Sequence, residues 1–302
     1  RCATMARSDV MLTDEEVAAL VPAPGSMVWR CGRDPRVLGA AGYALLLQIA
    51  HPTVAAGVSQ FSDYQSDPLG RFLRSLDYLT VMVFGGPDAA ATTAGTLRRM
   101  HRRIKGTAAD GRRYHALEPE AWAWVHATLG DASLAGTQHF ARPLSPAERE
   151  QFYAEWRAMG RLVGVGERDL PVDWRGYREY LDRMVAERLE DSDTVQGFLT
   201  YLRRAVRCPL PVLDGPVWRL AWAPAGELAW TATVGLLPSE LRDRFGVQWT
   251  RARQTRFQAL GAIARAADPL MPAVNRIYSP ENVLRWRRAS IEREYLAGAG
   301  AP

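Results

Sequence analysis

Helix punctuation recurs along almost the whole chain and restricts the fold more than any other feature. Thr13-Asp14-Glu15-Glu16 sets a hydroxyl residue three positions before a carboxylate, the pattern of a capping box. Ser145-Pro146-Ala147-Glu148 repeats it, with proline where the first helical residue needs no amide donor. Apolar residues recur at helical intervals over 39–50, 69–84, 118–129, 173–191, 192–206, 238–245 and 250–267. A further helix is expected from an Asp88 cap to about Lys105, stopped by Gly106. Strand alternation bounded by hairpin turns is nearly absent. The spacing predicts an all-α chain.

The 302 residues, 47% of them hydrophobic, suffice for one substantial core. Residues 1–12 are expected to be disordered or added upstream sequence, since 1–4 precede Met5. Residues 13–297 are expected to form a single large domain, and 298–302 a frayed tail. Four prolines between Cys208 and Pro224 mark 207–224 as the candidate internal boundary or surface crossing. The longest apolar run, 37–50, contains Gly39, Gly42 and Gln48; it suits a buried helix and is too short to span a membrane.

Charge excludes little but weighs against nucleic acid. The formal net charge is +5, Lys105 is the sole lysine, and the arginines are spread rather than clustered. A basic helical DNA-binding regulator is therefore the least supported function class. Cys2, Cys31 and Cys208 form no CxxC and no zinc spacing, which makes a reducing cytoplasm the default compartment. No HExxH, GxSxG, phosphate-binding glycine loop or ExxH pair is present.

What chemistry remains rests on five histidines and one basic helix face. His101 shares a stripe with Ala94, Leu97 and Ile104, so its imidazole points where aliphatic groups point. Either it is a packed core residue, or it is an axial ligand of haem iron with its second nitrogen on a backbone carbonyl. Arg71, Arg74, Ser75, Tyr78 and Met82 fall on one face of 69–84, opposite Phe72, Leu76, Leu79 and Val83. That polar face meets either solvent or a cavity. His51 precedes Pro52 and is forced toward extended backbone; it either lines a cavity or, the favoured reading, bonds carbonyls freed at a helix end. Trp122 and His126 are spaced to touch, with packing or a hydrogen bond as the plain reading for His126 and His115. His139 falls in a loop-like, exposed stretch.

Taken in order, several segments resemble the DUF2236 family of oxygenases, which includes the latex-clearing proteins. They include Gly25-Ser26-Met27-Val28-Trp29-Arg30, Gln48-Ile49-Ala50-His51-Pro52-Thr53, Arg71-Phe72-Leu73-Arg74-Ser75, Met100-His101-Arg102-Arg103-Ile104-Lys105-Gly106 and Gly235-Leu236-Leu237-Pro238. The resemblance implies an all-helical domain with a buried pocket for b-type haem between helices, and His101 as the proximal iron ligand. His101, Arg71, Tyr78 and Leu97 are then the expected haem contacts. Arg71, Arg74, Ser75 and His51 become the expected catalytic side chains. Latex-clearing proteins carry Arg-x-x-Lys-Thr on the distal side. Here Arg71 matches the arginine, while Arg74 and Ser75 replace the lysine and threonine. A guanidinium stays protonated and is a very poor iron ligand, which implies an open or water-filled sixth position and weighs against polyisoprene cleavage. The implied function is a haem-dependent oxygenase using dioxygen and an external reductant on a small or medium apolar molecule. Oxidative cleavage of a carbon–carbon double bond is the precedent. The alternative is a haem or apolar-ligand binding protein without turnover.

Overall fold

The computed structural model describes residues 12–61, 68–108, 110–203 and 216–272. Among them are thirteen α-helices and one two-stranded hairpin, so the chain is mainly α as the spacing predicts. The expectations for 1–11, 207–215 and 273–302 lie outside the described residues.

Helix α7, Pro119–Phe140, is the centre of the fold. It is apolar on most of its circumference and buries Trp124, Ala127 and Thr128 completely. The 3₁₀ turn Pro35–Ala40 and α3, Ala41–Ala50, pack against it. Contact there is backbone-close, because a Cβ at Gly136 would sit 2.8 Å from the Val37 carbonyl oxygen. Helices α9 (Trp174–Glu187), α10 (Asp193–Arg203) and α11 (Pro216–Leu236) close the main core around α3 and α7. A second cluster joins α1 (Asp14–Leu20), α2 (Met27–Gly32) and α8 (Pro146–Leu162) through Val17, Met27, Phe152 and Trp156. Both predicted capping boxes form. Thr13 accepts from the Glu16 amide and Ser145 from the Glu148 amide, each with the glutamate reaching back.

Pro52 breaks the chain between α3 and α4, Pro52–Phe61, and the two segments meet at 101°. Proline supplies no amide donor and holds His51 extended, at φ −79° and ψ 124°. The Ala50 carbonyl left over at the corner accepts instead from the Glu190 amide at 2.8 Å. No single helix among the described residues is long and apolar enough to cross a membrane, although this bent pair passes by length and composition together.

Three expectations need correction. The helix predicted from Asp88 to Lys105 is α6, Gly86–His101, which begins after Gly85 and follows α5, Pro68–Phe84. It ends at His101 because Lys105–Thr107 pairs antiparallel with Arg113–His115, with Gly106 opposite Tyr114. Tyr114 ties that hairpin to α4 by donating to Gln60 Oε1 at 2.6 Å. Residues 216–224 are helical and belong to α11, with Pro224 inside it, so the proline-rich interruption does not extend that far. His139 lies in the last turn of α7, not in an exposed loop. It stacks 3.8 Å over Phe257 of α13, Arg251–Ala266.

Candidate functional site

A cavity of about 490 Å³ opens between α4, α5, α6, α7 and α8. Its size is that of a cofactor or small-molecule site. Most of its wall is apolar, from Val58, Leu79, Leu97, Val125 and Met159 among others. Helix α5 runs from its mouth to its floor. Arg74 and Ser75 are exposed, Tyr78 is half-buried, and Met82 is 3% exposed, yet all four line the cavity. The shared face read from the sequence is therefore the cavity face at these positions, but Leu79, read on the opposite core face, lines the cavity too. The Arg71 side chain lies outside the described residues.

His101 sits at the end of α6 on the cavity wall, with Leu97 beside it. Its Nδ1 lies 2.8 Å from the Leu97 carbonyl, which only accepts, so Nδ1 carries the proton. With the proton on Nδ1, Nε2 is the nitrogen through which this ring would bind a metal. Trp122 of α7 meets the ring edge-on, with centroids 5.0 Å apart. The indole is itself held by donation to the Val163 carbonyl at 3.0 Å. The hairpin begins at Lys105, four residues after the helix ends, so the imidazole is held by its own helix and by α7.

His126 is the cavity residue that sequence reasoning undervalued. It lines the same cavity and is 6% exposed. Its Nε2 donates to the Trp156 carbonyl at 2.8 Å, and Trp156 Nε1 donates back to the His126 carbonyl at 2.9 Å. The two rings stack at 5.0 Å and 14°. A glycine four residues after each ring makes this approach feasible. A Cβ at Gly130 would lie 2.6 Å from the Trp156 indole, and one at Gly160 would lie 2.8 Å from His126 Nε2. The repeated aromatic-then-glycine spacing on α7 and α8 is the signal that could have paired them. Burial pushes the His126 pKa down to about 4, against the hydrogen bond to Trp156 that favours the proton.

His51 is not among the residues lining the cavity. It is buried at the α3–α4 corner, where Nε2 stands 3.4 Å from Glu120 Oε1 rather than on a freed carbonyl. Its Nδ1 has no hydrogen-bond partner among the described residues. Burial lowers its pKa, with Glu120 pulling the other way. Arg188 holds the same Glu120 oxygen at 2.6 Å. Burial raises the Glu120 pKa, but the Arg188 bond and charge outweigh it, so the carboxyl stays below its usual range. His115 lies outside the cavity lining, 3.4 Å from the Arg102 carbonyl.

No three His, Cys, Asp or Glu side chains converge among the described residues, so a metal held by protein donors alone has no built site there. A haem brings four nitrogen donors and needs one imidazole from the protein, which His101 offers in the right tautomer. Arg74 stands at the mouth, where the carboxylates of such a cofactor would meet solvent.

Two relatives of this chain are an uncharacterized protein of Mycobacterium tuberculosis and one of Mycobacterium bovis. Each is 27% identical to it over 232 residues, 76% of this chain and 87% of the relative. No solved structure matches it. The sequence profile of the family described as "ER-bound oxygenase mpaB/B'/Rubber oxygenase, catalytic domain" matches residues 29–266, from α2 to the end of α13 and thus every wall of the cavity. The chain belongs to that oxygenase family.

Proposed function

We propose that this protein is a haem b-dependent oxygenase that takes dioxygen and a small or medium apolar organic substrate, with electrons from an external reductant. The observation that carries the reading is His101: an imidazole on the wall of a largely apolar cavity, held through Nδ1 by the Leu97 carbonyl, which makes Nε2 the ligating nitrogen. Membership of an oxygenase family supports the reaction class.

In this reading His101 Nε2 binds the iron. Leu97 and Tyr78 contact the macrocycle, and Arg74 neutralises its carboxylates at the mouth, with Arg71 assigned beside it from the sequence. Bound haem supplies the one-electron chemistry that makes dioxygen reactive toward carbon. The chain's own part is positioning. The Leu97 carbonyl fixes the tautomer and orientation of the His101 ring. Ser75 and Arg74 offer hydrogen-bond donors at the entrance, and the aliphatic wall keeps bulk water from the substrate. His51, which pairs with Glu120 outside the cavity lining, has no part in this reading. Oxidative cleavage of a carbon–carbon double bond, the precedent that the sequence resemblance supplies, is the first reaction to assay.

The visible spectrum of the purified protein and a pyridine haemochrome assay test the cofactor. His101→Ala is expected to lose the Soret band while its far-ultraviolet circular dichroism stays helical. A full, unshifted Soret band in the variant would overturn the assignment and point to His126, the other imidazole in the cavity. Dioxygen uptake by the reduced protein with an apolar alkene tests turnover. Retained haem without uptake assigns the cavity to binding alone.

A further inference from the structure

His101 and His126 share one cavity but are locked in opposite tautomers. His101 carries its proton on Nδ1, because Nδ1 faces the Leu97 carbonyl. His126 carries its proton on Nε2, because Nε2 faces the Trp156 carbonyl. The lone pair of His126 is therefore on Nδ1. The Nε2–Cδ2 edge of the ring packs over Gly160, where a Cβ would come within 2.8 and 2.9 Å of those atoms, and one ring face stacks on Trp156. The ring also lines the cavity, and with Nε2 committed to Trp156, Nδ1 is the ring nitrogen that remains for a ligand there. Nδ1 has no hydrogen-bond partner among the described residues. Met82, Val125, Leu129 and Met159 line the same cavity, most of whose wall is apolar.

A neutral acceptor in an apolar wall selects its ligand. It cannot donate to an anion or to dioxygen, since its one proton is spent on Trp156. Water can satisfy it when the cavity is wet. A ligand that displaces the water must replace that hydrogen bond or leave a buried acceptor unpaired. We propose that His126 accepts a hydrogen bond at Nδ1 from a hydroxyl group of the substrate, so that the cavity takes apolar alcohols in preference to isosteric ethers. This rests on the reading of the cavity as the substrate site. His126 is a binding residue in this proposal, not a base; burial holds its pKa at about 4, so the ring stays neutral throughout the physiological range.

The test is calorimetric binding of 1-octanol and of its isostere 1-methoxyheptane to the full chain as purified, with whatever haem it carries. The wild type is expected to bind the alcohol about tenfold more tightly or better, since only the alcohol pairs the acceptor. The preference should be the same at pH 8 and pH 5.5. His126→Phe keeps an aromatic ring over Trp156 but no Nδ1, and is expected to bind both probes alike. Because that variant also loses the bond to the Trp156 carbonyl, a second readout uses the unaltered protein. The Nδ1 resonance of His126 in histidine-labelled protein should move on adding 1-octanol and stay put with 1-methoxyheptane. Equal affinities in the wild type, failure of both probes to bind, an unmoved resonance, or a preference that survives in a folded His126→Phe would each overturn the proposal. A Soret band recorded on the same samples reports separately on the haem reading, which stands or falls by His101.

Discussion

Acid should unfold this protein partly through His126, and the size of the effect follows from its surroundings. The perturbation is a fall from pH 7.5 to 4.5. In the folded chain the ring is buried beneath Trp156 and its pKa is pushed down to about 4, whereas an unfolded histidine titrates near its ordinary value of 6.5. As pH falls, the unfolded chain takes up this proton before the folded one does. Stability is therefore fully present above about pH 6.5 and is lost progressively toward pH 4. At about 1.4 kcal/mol for each pH unit of separation, the loss approaches ~3 kcal/mol, of which about 2.5 kcal/mol has gone by pH 4.5. Urea unfolding followed by circular dichroism measures it. With a slope of about 3 kcal/mol per molar, the wild-type midpoint should fall by ~0.8 M more than that of His126→Phe. His51 and His139, whose pKa values burial also lowers, act in both proteins and cancel in the comparison. Parallel acid dependence in the two proteins would show that the Trp156 lock does not bury a neutral imidazole, and the reasoning would fail.

Two further outcomes are expected. Arg74→Leu should retain haem and leave stability within about 0.5 kcal/mol, because the side chain is exposed at the mouth, yet lose most turnover in the dioxygen-uptake assay; unchanged turnover would remove Arg74 from the site. Asp131→Ala should destabilise by about 3 kcal/mol in thermal or urea unfolding, since the buried carboxylate accepts from the Tyr43 hydroxyl at 2.6 Å and from Arg178 at 3.0 Å. A cost under about 1 kcal/mol would mean that this buried network contributes little.

The sequence by itself determined the fold class and one face of the site. Capping boxes at Thr13 and Ser145 act within a few residues, so their chemistry is legible locally, and both form as read. The α5 stripe of Arg74, Ser75, Tyr78 and Met82, and the place of His101 beside Leu97, follow from helical periodicity, and all of these side chains meet one cavity. Periodicity says that residues share a face; it does not say what that face meets. The sequence left the α5 face open between solvent and cavity, and it left His101 open between packing and ligation. Tertiary structure decided three matters. Hairpin pairing across 105–115 ended α6 at His101, because strand partners six to ten residues apart outweigh local helix preference. The Pro52 corner carried His51 away from the cavity lining to Glu120, a partner 69 residues distant. The exchange of hydrogen bonds between His126 and Trp156, 30 residues apart, fixed which nitrogen of the second imidazole carries its proton. A ring's tautomer is set by the carbonyl it faces, and only the packed arrangement of α7 against α8 supplies that carbonyl.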